Sequence, residues 1–194
     1  MAHTTIGDNS SAAIRIALPG WVENFVDSDA RFVDDDAKIE LAIALSQTNI
    51  AHATGGPFGA AIFDGDGRVL GLGVNCVIAQ GCSVAHAEMM AFMAAQMQTG
   101  RHRLNDGTSG ITLATSAQPC CMCYGASVWA GIDRLLIGAR AEDVMALTAF
   151  DEGPLPADWI GELERRGITV RRDLQREAAC AVLRTFGKGR GDHY

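Results

Sequence analysis

The spacing of apolar positions changes several times along the chain, and each change marks an element. In "DDDAKIELAIALSQTNIAHA" (34–53) apolar residues recur at helical intervals behind a run of acids, which the positive end of a helix dipole favours. "GGPFGAAIFD" and "VLGLGVNCVI" are short apolar runs flanking "GDGR", so they predict a β-hairpin over about 58–78. "SVAHAEMMAFMAAQMQ" (83–98) has the length of a second helix and is apolar almost all round, which predicts burial on more than one side. After a polar loop at 99–110, "ITLATS" reads as a buried strand, "CCMCYGASVWAG" as a third helix and "DRLLIGA" as a fourth strand. A helix or loop covers 141–160, "ITVRR" is a fifth strand, and 173–186 forms a last helix.

Helix, hairpin, then alternating helices and strands make an α/β chain. Strands joined through helices are normally parallel, which gives a three-layer α/β/α sandwich around a five-stranded mixed sheet. The stretch between strands 4 and 5, about 140–167, is far too long for a hairpin, so strand 5 is expected parallel to strand 4. This single domain covers 34–186, with an N-terminal arm at 1–33 and a C-terminal tail at 187–194.

Composition narrows the picture. With 48% apolar and 20% charged residues, 194 residues can build one full core without covalent staples. The formal net charge is −7, which argues against nucleic acid as a partner, because phosphate backbones are held by basic surfaces. Residues 163–194 carry eight Lys/Arg against four Asp/Glu, which reads as a solvated helix face. "MAHTTIGDNSSAAIRIALPGW" lacks the charged and apolar regions of a secretion signal, and no run approaches a membrane span. Together with six cysteines in no even framework, this places the expected site of action in the cytoplasm, where clustered cysteines mean metal or catalysis.

The cluster is "SAQPCCMCYG" (116–125). If a helix starts just after Pro119, Cys120 and Cys123 share a face while Cys121 points about a quarter turn away. A C-x-x-C opening a helix fits either a metal site or a thiol–disulfide motif. "AHAEMM", 34 residues upstream, separates the two. His86 with Cys120 and Cys123 supplies three ligands of a tetrahedral zinc, one ion per chain, and leaves the fourth position for water, as in catalytic sites. Glu88 is then free to act on that water's proton, and because 86 and 88 do not share a helix face the ion belongs ahead of the helix N-terminus. Cys76, Cys82, Cys121 and Cys180 read as small buried apolar residues.

H-x-E…P-C-x-x-C is the signature of zinc deaminases. The chain resembles the cytidine/deoxycytidylate deaminase superfamily from about 34 to 186, and within it the bacterial guanine deaminases that also take ammeline. "GGPFGAAIFD", "GVNCV", "AHAE", "TSAQPCCMCYGASVWAG" and "AFDEGPLPADWIGELERRGITV" carry that resemblance. It implies a zinc-dependent hydrolysis of guanine to xanthine and ammonia by a homodimer. It also implies that Glu152 assists departure of the amine, that Asn75 and Ala87 bind the base, and that Phe58, Trp129 and Phe150 line or stack on it. Two features depart from the pattern: Gln118 stands where the family usually has glutamate, and the tail ending in His193 and Tyr194 is short. The alternatives are a cytosine or cytidine deaminase, against which the long strand 4–5 crossover speaks, and a tRNA adenosine deaminase, against which the acidic charge speaks. A closed zinc module would need a fourth protein ligand, Cys82 or Cys76, and a redox C-x-x-C protein would bind no stoichiometric metal.

Overall fold

A computed structural model describes residues 14–189. After a 3-10 turn at Gly20–Asn24, the elements run α1 (Asp35–Ala51), β1 (Gly59–Phe63), β2 (Val69–Val74), α2 (Val77–Gln80), α3 (Ala87–Thr99), β3 (Thr112–Ala117), α4 (Cys121–Ala130), β4 (Arg134–Ala139), α5 (Ala141–Leu147), α6 (Trp159–Glu164), β5 (Thr169–Arg171) and α7 (Arg176–Lys188). The sheet order is β2-β1-β3-β4-β5. β1 is antiparallel to both β2 and β3, whereas β3, β4 and β5 are parallel. The expected sandwich and the parallel fifth strand are therefore present. None of the described helices is long and apolar enough to cross a membrane.

Local chemistry explains the first half. Asp34 caps α1 by accepting from the Ala37 N–H at 2.7 Å. The hairpin turns at Asp64, whose Oδ1 accepts the N–H groups of Asp66 (3.0 Å) and Arg68 (2.9 Å). Gly67 completes that turn at φ +77°, where a Cβ would stand 2.3 Å from the Phe32 carbonyl oxygen. β1 alternates cleanly between two cores: Ala61 and Phe63 face α1 and α7, while Ala60 and Ile62 join α3, β3 and β4 residues on the opposite side.

Several boundaries differ from the sequence expectation. The second hairpin strand stops at Val74 instead of running on towards 78, because the Cys76 N–H turns to the Ala85 carbonyl (2.9 Å) and 77–80 coil into α2. The second long helix starts at Ala87, preceded by α2 and a turn instead of directly by a strand. It is not buried all round: Met90 is 4% exposed, but Met97 is 84% exposed. Residues 141–160 hold two short helices around a loop. Cys82 is only half-buried and Cys121 is exposed, unlike the buried Cys76 and Cys180. Residues 14–33 of the arm are described, whereas His193 and Tyr194 lie outside the described residues.

α3 lies on β2 at very short range, through Gly71 and Gly73 on the strand and Ala87, Ala91 and Ala95 on the helix. A Cβ on Gly73 would stand 2.0 Å from the Ala87 carbonyl oxygen and 2.4 Å from the Ala91 nitrogen, with backbone on both counts. Gly73→Ala is accordingly expected to destabilise the fold by about 1–3 kcal/mol in urea unfolding, through forced displacement of α3. Gly125→Ala, where no atom lies within 4 Å of the added carbon, should instead raise stability by roughly 0.5–1 kcal/mol through helix propensity.

Candidate active site

One end of the sheet collects the chemistry. β1 begins there while β2, β3 and β4 end there, as the pairs Gly59–Val74, Ala60–Thr115 and Ala117–Ala139 require. Phe58, Asn75 and the Gln118–Cys120 stretch consequently meet at one rim. α3 and α4 also start at this rim. Their N-caps are His86 and Cys120, both in extended backbone (φ −70°, ψ 158° and φ −65°, ψ 175°), and neither side chain caps its own helix.

Instead the two side chains face each other, with His86 Nδ1 3.5 Å from Cys120 Sγ. Cys123, one turn into α4, is fully buried, and the ligand atoms of all three lie within 4.8 Å of one another. A tetrahedral zinc with bonds of roughly 2.0–2.1 Å to nitrogen and about 2.3 Å to sulfur holds those two atoms about 3.6 Å apart. Spacing and donor chemistry therefore both suit such an ion, and these three residues could hold it. Cys121 is turned outward, and its N–H donates to the Glu152 carbonyl at 3.0 Å, which ties the 148–158 loop to the start of α4.

A cleft of about 230 Å³ opens over this cluster. His86, Ala87, Glu88, Cys120, Phe58, Asn75, Phe150 and Glu152 line it, so most of the sequence-derived set comes together. Trp129 does not: it is 79% exposed on α4 and lines no part of this cleft. At about 100° per residue it lies on the far side of the helix from the buried Cys123 and Ser127. Ser83 and Asp151 also line the cleft, as does Gln118. The polarity of Ser83 and Asp151 alone carried no signal, because exposed loops contain such residues everywhere, whereas Gln118 had stood out as a departure from the family pattern.

Burial sets the electrostatics. Glu88 is 6% exposed; burial first, and the Cys120 charge second, push its pKa up to about 7. Glu152 is 8% exposed, and burial followed by the Glu88 charge takes it to about 8. Cys120 moves the other way, to about 4, chiefly because Cys123 donates a hydrogen bond to its sulfur, with His86 adding to this against burial. That same bond, then burial, pushes the Cys123 thiol up. For His86, burial favours the neutral ring, but the Cys120 hydrogen bond and the Glu88 charge outweigh it and the pKa rises. Thr115 Oγ1 on β3 lies 3.4 Å from Glu88 Oε1 and 3.0 Å from the Ala117 carbonyl, so its single hydrogen serves one of the two acceptors at a time.

Recognition elements surround this centre. Asn75 is 1% exposed, and its Oδ1 accepts the N–H groups of Gly56 and Val77, both at 3.4 Å. These two bonds fix the amide at the rim of the cleft. Phe58 meets Phe150 edge-on (5.1 Å, 61°), and Phe150 in turn stacks on Phe186 of α7 (5.7 Å, 21°). Phe186 had no sequence signal beyond an ordinary helix position.

Residues 33–139 match the family model described as the cytidine and deoxycytidylate deaminase zinc-binding region. A tRNA-specific adenosine deaminase of Buchnera aphidicola is 30% identical over 77% of this chain and 93% of its own length. The solved guanine deaminase of Nitrosomonas europaea is 41% identical, with a TM-score of 0.85 over 92% of this chain and 98% of that one. A crystal structure holding 8-azaguanine, also 41% identical, gives a TM-score of 0.87 over 92% and 99%.

Metal content tests the ligand set. His86→Ala, Cys120→Ser and Cys123→Ser should each weaken zinc binding by more than about tenfold in a chelator competition read by atomic absorption. Cys121→Ser and Cys82→Ser should keep one equivalent. Loss of the metal from Cys82→Ser would instead indicate a closed, four-ligand site.

Proposed function

We infer the reaction from one premise: the chain belongs to the cytidine and deoxycytidylate deaminase family, and is an enzyme of that class, a deaminase. Its substrate is guanine, hydrolysed to xanthine and ammonia, with one zinc held by His86, Cys120 and Cys123. The observation that carries this reading is likeness across nearly the whole chain to a guanine deaminase at 41% identity, joined to a cleft with two buried carboxylates. A related structure binds 8-azaguanine, a flat purine-like base. Ammeline, a smaller ring with the same amine, is a second candidate substrate.

The ion, when bound, supplies a Lewis acid that lowers the pKa of a water towards about 7. Everything else falls to side chains. Glu88, with a pKa of about 7, accepts the proton of the attacking water and hands it to the ring nitrogen beside C2. C2 thereby becomes electrophilic, takes the water oxygen and becomes tetrahedral. Glu152, buried beside Glu88 with a raised pKa, gives a proton to the amine nitrogen as the C2–N bond breaks, and regains one from the C2 hydroxyl as that becomes the carbonyl of xanthine. Two carboxyls divide the labour because their surroundings hold both near the working pH. Asn75 grips an edge of the base, Ala87 closes one side, and Phe58 and Phe150 exclude water.

Likeness to the Buchnera enzyme keeps tRNA adenosine in view as a second substrate class. The net charge of −7 and the small cleft favour a free base. We read the working form as a homodimer, because Met97 (84% exposed) and Trp129 (79%) leave large apolar side chains for a partner copy to cover.

Ammonia release decides the substrate. Guanine, and ammeline with it, should be turned over by zinc-replete protein, whereas cytosine, cytidine, adenine, guanosine and tRNA should be inert. Glu88→Gln should cut kcat by about 10²–10⁴-fold with zinc still bound. Activity on cytosine with guanine inert would keep the chemistry and overturn the assigned pocket.

A further inference from the structure

Asn49 lies near the end of α1 and is fully buried, yet it is polar and outside the cleft lining. Its Nδ2 donates to two backbone carbonyls, those of Gly56 and Asn75, both at 2.9 Å. Its Oδ1 accepts from Thr54 Oγ1 at 2.7 Å, and Thr54 Oγ1 in turn accepts the Trp21 indole N–H at 3.2 Å. One amide thus clamps the 54–58 loop, which delivers Phe58, to the end of β2, which delivers Asn75. The clamp closes on a very short approach: a Cβ on Gly55 would stand 1.8 Å from the Asn75 carbonyl oxygen and 2.9 Å from Asn49 Nδ2. Gly56, whose carbonyl Asn49 holds, also gives its N–H to Asn75 Oδ1. Backbone and side chain of Asn75 are therefore both referred to the same loop, and the loop to Asn49.

We propose that Asn49 is the positioning residue for base recognition, setting where Asn75 meets the edge of the substrate without touching it. The geometry requires an amide. Two donors on one nitrogen bridge two carbonyls while the oxygen accepts a hydroxyl. Aspartate has no donors for those carbonyls, and leucine, of similar volume, has neither part. The inference rests on the reading that Asn75 holds a nucleobase.

A double-mutant cycle tests it, with kcat, KM and melting temperature measured on zinc-replete protein. Asn49→Leu should lower kcat/KM for guanine by about 10–100-fold, carried by KM, with kcat within about threefold. On an Asn75→Ala background the same substitution should cost less than about threefold more. Thr54→Val, which loosens the clamp at a half-buried position, should give a smaller loss that also vanishes when Asn75 is gone, and it serves where Asn49→Leu does not fold. Equal losses on both backgrounds, or a lower melting temperature with unchanged KM, would make Asn49 an ordinary core residue and overturn the proposal. A wild type inert to guanine but active on another base would overturn the substrate reading alone, and the same cycle run on that base then decides Asn49.

Discussion

The contact between His86 and Cys120, 3.5 Å from nitrogen to sulfur, holds only while two helices begin at the same point. That condition governs much of the architecture. α3 is brought to the rim by its bed on Gly71 and Gly73, where no side chain fits between strand and helix. α4 arrives by another route: β3 is buried along its whole length and hands the chain through Gln118 and Pro119 into Cys120. Both helices aim their positive ends at the centre, which favours thiolates and a carboxylate there. The Cys120 thiolate and the two buried carboxyls crowd one small volume, so a divalent cation held there would offset repulsion that the fold alone would otherwise bear.

The two buried glutamates add to that load. Each carries a raised pKa, chiefly through burial, and the charge of Glu88 adds to the shift in Glu152. A folded protein gains nothing in stability from such a pair, and raised carboxyl pKa values of this kind are what the proposed proton transfers near neutral pH would call for. The 148–158 loop that brings Glu152 must therefore be held by something other than the glutamate. It is held by the Cys121 N–H on its backbone, by Gly153 at φ +66°, and by Phe150 wedged between Phe58 and Phe186. Cys121 acquires a purpose this way although its thiol faces outward: its backbone, and the space beside its sulfur, belong to the loop.

These differences in how groups are held explain what could be read from the chain beforehand. The three candidate ligands and Glu88 sit in two contiguous motifs at helix starts, where spacing in sequence is spacing in space, so their convergence was legible. The parallel fifth strand was legible from connection length alone. The end of β2 was not, because what stops it is a tertiary hydrogen bond from Cys76 to Ala85 and the side chain of Asn75; local pattern favoured strand through Ile78. Trp129 was assigned by likeness of motif, whereas helical phase turns it away from the cleft of its own chain. Asn49 was invisible for a simpler reason. A single asparagine late in an amphipathic helix looks like a solvated position until the loop it clamps is folded over it.

The mixed sheet divides the site along the same line. Its parallel half, β3 and β4 with the helices and loop that follow, supplies both thiols and Glu152. Its antiparallel half, β1 and β2, supplies Phe58 and Asn75, and that half is locked from behind by α1 through Asn49. The antiparallel half also leads, through α2 and the Cys76 N–H bond to the Ala85 carbonyl, into α3 with His86 and Glu88, so the candidate metal ligands come from both halves and share their support with Asn75. The 54–58 loop that Asn49 clamps carries Phe58 and none of the candidate ligands, so it can vary while the ligand set stays unchanged. Variation confined to such a loop is consistent with resemblance to both a tRNA adenosine deaminase and a guanine deaminase. On the proposed reading, the identity of the base is set by the seating of Asn75 and Phe58, and so by the buried amide that ties their backbones together, rather than by the motif that announces the reaction.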